Sequence, residues 1–180
     1  MGDEKDRLGD TLHNAGMARE NQWARQHDAE IIERLRLKYA KGVNCPQCGH
    51  RLDARVAIGV GGMACPTHHG AWCDKEALEQ IDERLENAAA LHRGSLTEKA
   101  FGRIPETVGE LRREYPRGID CPDCGARLNA RAAVGPGERG LVGMACPKDH
   151  GAWIDEGVLR EIRKRLDTVL GTHRSGETRR

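Results

Sequence analysis

Cysteine and histidine recur in this chain in two matched sets. The first is Cys45-Pro-Gln-Cys48-Gly, followed by Cys65-Pro-Thr-His68-His69-Gly-Ala-Trp72. The second is Cys121-Pro-Asp-Cys124-Gly, followed by Cys146-Pro-Lys-Asp149-His150-Gly-Ala-Trp153. Each set has a C-x2-C pair, a spacer, and a third cysteine with histidine close behind. Thiolate and neutral imidazole are soft and borderline donors, and four of them in two pairs suit a closed tetrahedral zinc site. Iron in a rubredoxin-like site would want four thiolates, so histidine favours zinc. Four protein ligands leave no position for an activated water, so the expected metal is structural rather than catalytic.

Comparing the two sets favours one choice of fourth ligand. Three residues after the third cysteine stand His68 and Asp149, which differ; one residue later both sets have histidine. One solution then serves both sites. The expected ligands are Cys45, Cys48, Cys65 and His69 for one zinc ion, and Cys121, Cys124, Cys146 and His150 for another. His68 and Asp149 are the rivals. A seventh cysteine, Cys73, stands where the other set has Ile154 and reads as a small apolar filler; a reactive thiol and a substitute ligand are the alternatives.

The ligands sit inside a longer repeat. Leu35, Tyr39, Gly42 and Cys45 match Leu111, Tyr115, Gly118 and Cys121, and after a spacer five residues longer in the second copy the match resumes through Trp72/Trp153, Asp74/Asp155, Leu78/Leu159, Ile81/Ile162 and Leu85/Leu166. Each copy therefore has a lead-in helix, a metal module and a trailing helix. Asp74 and Asp155 suit helix N-caps. Leu78, Ile81, Leu85 and Ala88 share one helical face, as do Leu159, Ile162, Leu166, Val169 and Leu170, and Gly171 is a natural stop. The spacers from Arg51 and Arg127 read as strands entering the Gly-rich turns Gly59-Val-Gly-Gly62 and Gly135-Pro-Gly-Glu-Arg-Gly140.

These elements predict an α+β chain of two tandem zinc ribbons, small β-hairpin modules with flanking helices, behind a long N-terminal helix. The divisions are an N-terminal helical segment over 1–41, with Ile31, Ile32, Leu35 and Tyr39 as its apolar stripe and Trp23 two turns earlier. A first ribbon with its helix spans 42–93. A helical linker covers 94–117, with Ser95 to Glu98 as a capping box and Pro105 as an interruption. A second ribbon with its helix spans 118–171, and 172–180 is a disordered tail.

The pattern C-P-x-C-G-x-x-L, a turn, then C-P-x-x-H-G-x-W-x-D-x-x-x-L resembles the transcription-factor-IIB-type zinc-ribbon family, over roughly 43–85 and 119–166. The resemblance implies a zinc-stabilised hairpin with a short helix after it. The family's usual fourth ligand is a cysteine three residues after the third, at His68 and Asp149, so the histidines at 69 and 150 depart from it.

Composition bounds the rest. Of 180 residues, 38% are hydrophobic, 3% aromatic and 32% charged, too polar for one large core, and small domains commonly take part of their stability from a metal. No apolar run approaches the roughly 18 residues of a membrane span. The charged N-terminus lacks a signal peptide's apolar region, so a cytoplasmic protein is expected. The net charge of +1 is no nucleic-acid signature in itself.

No phosphate loop, nucleophile motif or open metal site suggests an enzyme, and no small-molecule substrate is expected. The expected role is a non-catalytic module binding nucleic acid or a transcription or translation complex; the alternative is a protein-protein adaptor that binds no nucleic acid. Arg51, Arg55, Arg127 and Arg131 are candidate phosphate contacts, with solvated strand faces the plainer reading. Trp72 and Trp153 suit either stacking on bases or packing of each ribbon against its trailing helix. The trailing helix is acidic in the first copy and, with its Arg-rich tail, basic in the second.

Overall fold

The computed structural model describes residues 3–57, 59–91, 108–134 and 141–176. The capping box at 95–98, Pro105, the turn at 135–140 and the last four residues lie outside the described residues, as do the side chains of Val169 and Leu170. The chain is α+β. Helix α1 (Asp3–Lys38) leads into the strands β1 (Asp53–Ala57), β2 (Val60–Ala64) and β3 (Gly70–Asp74) and the helix α2 (Lys75–Leu91). The second copy runs α3 (Val108–Glu114), β4 (Asn129–Val134), β5 (Leu141–Ala145), β6 (Gly151–Asp155) and α4 (Glu156–Gly176).

The copies do not sit side by side as separate beads. All six strands form one antiparallel sheet in the order β1-β2-β3-β6-β5-β4, so the last strand of each copy pairs with the last strand of the other. The register centres on Trp72 opposite Trp153, flanked by Ala71 opposite Ile154 and Cys73 opposite Ala152. Pairing in this way removes one of the two edges that each copy alone would leave open, and β1 and β4 remain as the outer strands.

Helices cover both faces. On one, Ile31, Leu35, Tyr39, Leu111 and Tyr115 pack with Met63, Trp72, Met144 and Trp153. On the other, Ala77, Ile81, Leu85 and Ala88 of α2 join Val158, Ile162 and Leu166 of α4 over Ala71, Cys73, Ala152 and Ile154. The polar composition thus still yields two shared apolar layers, because neither copy has to fill a core alone.

Strand parity corrects the expected place of the tryptophans. Successive side chains alternate across a sheet, so with Ala71 and Cys73 facing the trailing helices, Trp72 faces the lead-in side, as does Trp153. Both are buried, and each indole N–H donates to the lead-in tyrosine of its own copy, Trp72 to Tyr39 and Trp153 to Tyr115, at 2.9 Å. Burial pushes the Tyr39 hydroxyl up to about 12 and raises that of Tyr115 also.

Three details differ from the sequence expectation. Gly61 and Gly62 lie within β2 rather than in a turn; a Cβ at Gly61 would come 2.3 Å from Ile31 Cγ2, so the bare backbone admits α1. Trp23 is 66% exposed, because the buried part of α1 begins at Ile31. Helix α4 runs through Gly171 to Gly176: a glycine inside a helix costs about 1 kcal/mol relative to alanine but does not stop it. The Asp74 carboxylate accepts from the Ala77 amide at 3.0 Å and the Asp155 carboxylate from the Gly157 amide at 2.7 Å, so both cap their helices.

Gly70 and Gly151 hold the central junction together. They have φ of 146° and 151°, and a Cβ on either would lie 2.3 Å from a backbone carbonyl of the opposing strand. Gly70→Ala or Gly151→Ala should therefore cost about 3 kcal/mol or more in urea unfolding. Gly49, also at positive φ but with nothing near its Cβ position, should cost only about 1–2 kcal/mol as Gly49→Ala.

Tyr39 and Tyr115 are the chain's two tyrosines. Alkaline absorbance titration of the folded protein should show neither ionising at the ordinary value of 10.0. A raised folded-state pKa means the native state holds its proton longer, so stability should fall as pH rises from the ordinary value of 10.0 through the raised one. A normal tyrosinate step would refute the buried pairing.

Candidate metal centres

Each metal module is a pair of tight turns held by backbone hydrogen bonds. In the first, the Cys45 amide donates to the His50 carbonyl at 2.8 Å and the Gly49 amide to the Cys45 carbonyl at 2.9 Å; Cys121, Ala126 and Gly125 repeat this in the second. The other turn is closed by the Cys65 amide on the Gly70 carbonyl and the Cys146 amide on the Gly151 carbonyl, both at 2.9 Å. These bonds shape each turn locally, and the β1–β2 and β4–β5 pairings bring the two turns of each module together.

The result is two groups, Cys45, Cys48, Cys65 and His69, and Cys121, Cys124, Cys146 and His150, within which the donor atoms all lie within 4.8 Å of one another. All seven cysteines are free thiols. Cys48 and Cys65 sulfurs are 3.6 Å apart, and His69 Nδ1 is 3.6 Å from Cys45 Sγ and 3.7 Å from Cys65 Sγ. In the second group Cys124 and Cys146 sulfurs are 3.7 Å apart, with His150 Nδ1 3.8 Å from Cys121 and 3.7 Å from Cys146. A tetrahedral ion bound at about 2.3 Å to sulfur and about 2.0 Å to nitrogen requires S–S edges of about 3.8 Å and S–N edges of about 3.5 Å. The donor sets fit such an ion.

His68 and Asp149 belong to neither group. Both adopt left-handed backbone, φ 60° and 62°, and their amides donate to the Cys65 and Cys146 carbonyls at 3.1 Å. They are the residues on which the chain turns, so the histidine after each is the one brought to the sulfurs. Asp149 points outward instead, to Lys75 at 3.5 Å and Arg131 at 3.6 Å. Cys73 is buried on the trailing-helix face, where burial pushes its thiol up to about 12, an inert filler.

Thr67 gave no signal in the sequence. Its hydroxyl lies 3.0 Å from Cys65 Sγ, 3.3 Å from Cys48 Sγ and 3.3 Å from His69 Nδ1. It is the main cause of the Cys48 thiol being lowered to about 5. Burial instead pushes Cys45 and Cys121 up to about 12. Ligation needs all of them as thiolates, so metal uptake must expel protons and affinity must rise with pH.

Each group is also braced by the other copy. The Lys75 amide, at the start of α2, donates to the His150 carbonyl at 3.0 Å, and the Glu156 amide, at the start of α4, to the His69 carbonyl at 3.3 Å. The fourth donor of each centre thus hangs from the first turn of the opposite trailing helix.

The expected arginines are largely engaged within the fold. Arg51 donates to the Ala40 carbonyl at 3.0 Å, Arg127 to that of Arg117, and Arg131 to that of Cys146 at 3.0 Å. Arg55 pairs with Asp53 at 3.4 Å. No helix among the described residues is long and apolar enough to cross a membrane. No protein-family model matches the chain, and neither the curated proteins nor the solved structures contain a significant match.

Native mass spectrometry of the reduced protein should find two metal ions per chain. His69→Ala and His150→Ala should each weaken one site by more than the roughly 10–100-fold that loss of an outer-shell partner costs, and His68→Ala should leave both filled. Weakening by His68→Ala and not by His69→Ala would reassign the ligand.

Proposed function

We propose that this protein is a non-catalytic interaction module in which each Cys3His group holds one structural zinc ion. Three thiolates and an imidazole favour zinc over harder ions, and four protein ligands close the site against substrate. On this reading each metal module is a zinc ribbon of the transcription-factor-IIB type, with histidine as fourth ligand.

The partner is a protein, reached through α1. One observation carries this: residues 15–27 of α1 are exposed, and they include Trp23, 66% exposed, and Met17, 43% exposed. Trp23 stacks on His27, with ring centres 5.3 Å apart. A large apolar side chain left exposed on a long helix can mark a contact site, and tryptophan is prominent among binding hot spots.

A second reading, nucleic-acid binding, rests on a groove in the second copy lined by Arg112, Arg117 and Arg127 over Leu128, Ala130 and Met144. Against it, both repeat tryptophans are buried and unable to stack on bases, and Arg127 is tied to Asp120 at 3.1 Å.

The readings separate in one set of measurements. Trp23→Ala should leave melting temperature and zinc content unchanged yet release a protein that co-purifies with the full chain. Retention of that protein by Trp23→Ala would count against the α1 surface. Binding to nucleic acid that weakens steeply with salt and is lost in Arg112→Gln/Arg117→Gln would establish the second reading instead.

A further inference from the structure

The two copies differ most at one place on the trailing-helix face. In the second copy Ile154 covers the bare backbone of Gly143: a Cβ there would lie 2.8 Å from Ile154 Cδ1. In the first copy the aligned residues are Cys73 and Gly62, and a Cβ at Gly62 would lie 3.6 Å from the smaller Cys73 Sγ. The missing side-chain volume is not filled from elsewhere. A cavity of about 280 Å³ opens there between β1, β2, β3 and α4. Its floor is apolar, made by Val60, Ala71, Cys73, Ile81 and Leu159.

The rim has changed in step. In the second copy, Arg131 and Lys75 both pair with Asp149, and the position on α2 that aligns with Arg163 is the acidic Asp82. Its charges are two basic and two acidic. In the first copy the aligned residues are Arg55, Glu156, His68 and Arg163, all of which line the cavity. The acid that neutralised the arginine has become a histidine, and the acid on the helix has become an arginine. Two arginines and one carboxylate remain beside His68. Arg163 has no ion pair among the described residues, and Arg55 leans on the exposed Asp53.

An apolar floor beneath Arg163, which has no ion pair among the described residues, is the complement of a small organic anion with an apolar body. The volume lies just below the range of drug-sized ligand pockets, about 300–1,000 Å³, and so suits only a small molecule. We propose that the first copy binds a short-chain carboxylate in this cavity, its tail on Leu159 and Ile81 and its carboxylate between Arg163 and Arg55. The second copy, closed by Ile154 and neutralised by Asp149, does not.

Hexanoate is the probe, followed by amide chemical shifts of the zinc-loaded full chain. Saturable shifts are expected around Val60, Gly62 and Leu159 and not at Leu141 to Ala145. Cys73→Ile, which installs the second copy's residue, and Arg163→Gln should each weaken binding by roughly tenfold or more, and hexylammonium should bind at least about tenfold more weakly than hexanoate. Zinc content and melting temperature report whether Cys73→Ile folds; if it does not, the surface change Arg163→Gln decides. Absence of saturation with hexanoate, equal binding of hexylammonium, or wild-type affinity in Arg163→Gln overturns the proposal.

Discussion

The antiparallel pairing of β3 with β6 is the constraint on which the rest of this molecule depends. A three-stranded ribbon with one helix on each face exposes an unpaired edge and half of each apolar layer, and small sheets in that condition are marginal in water. Joining two copies through that edge satisfies the backbone of both central strands and brings Trp72 and Trp153 together as opposing residues. It also carries the start of each trailing helix to the turn that bears the other copy's histidine. The donor sets and the sheet are therefore not independent. An ion that fixes His69 also fixes a hydrogen-bond acceptor for α4, and a disturbance at the junction moves the fourth donor of both sites at once.

What the sequence revealed follows from how local each constraint is. The ligand turns were legible because Cys-Pro-x-Cys-Gly closes its hydrogen bonds within a few residues, and the helix caps at Asp74 and Asp155 for the same reason. Choosing His69 over His68 needed the second copy as a control, since no local rule separates two adjacent histidines; the left-handed backbone that turns His68 away is visible only in the fold. The strands Gly70–Asp74 and Gly151–Asp155 escaped notice because they are covered on both sides. A strand buried on both faces has no alternation of polar and apolar residues to betray it. The side toward which the tryptophans point depends on that unseen strand, so packing them on the trailing helix followed from proximity in sequence, and parity reversed it.

The copies have diverged without losing the frame they share. Positions that set geometry are kept in both: the turns, the junction glycines, the Trp–Tyr pairs and the caps. Positions facing the space above β2 and β5 have exchanged size and charge, Cys73 for Ile154 and His68 for Asp149. An internal repeat permits this because a change in one copy leaves the other's half of the core intact. A symmetric pair of identical chains would have to make each such change twice.

The junction is tuned for unlike copies. Lys38 meets Asp74 at 2.9 Å, and burial, which pulls the Lys38 ammonium down, is more than offset by Asp74, Tyr39 and Asp123. In the second copy Glu114 stands where Lys38 would, and burial followed by the nearby Asp155 raises its carboxyl above the ordinary value. Each lead-in also meets the opposite ligand turn: Tyr39 donates to Asp123 at 3.3 Å, while Gln47 donates to Glu114 and, at 3.0 Å, to Tyr115. The acidic turn therefore lies by the lysine and the neutral amide by the glutamate. Two second copies placed together would set Asp123 against Glu114 and Asp155, two exposed carboxylates and one half-buried. Two first copies would leave Lys38 without its second acid. Like-charge crowding of this kind works against the wrong partner. The side chains at 38, 47, 114 and 123 thus match each copy to the other within one chain.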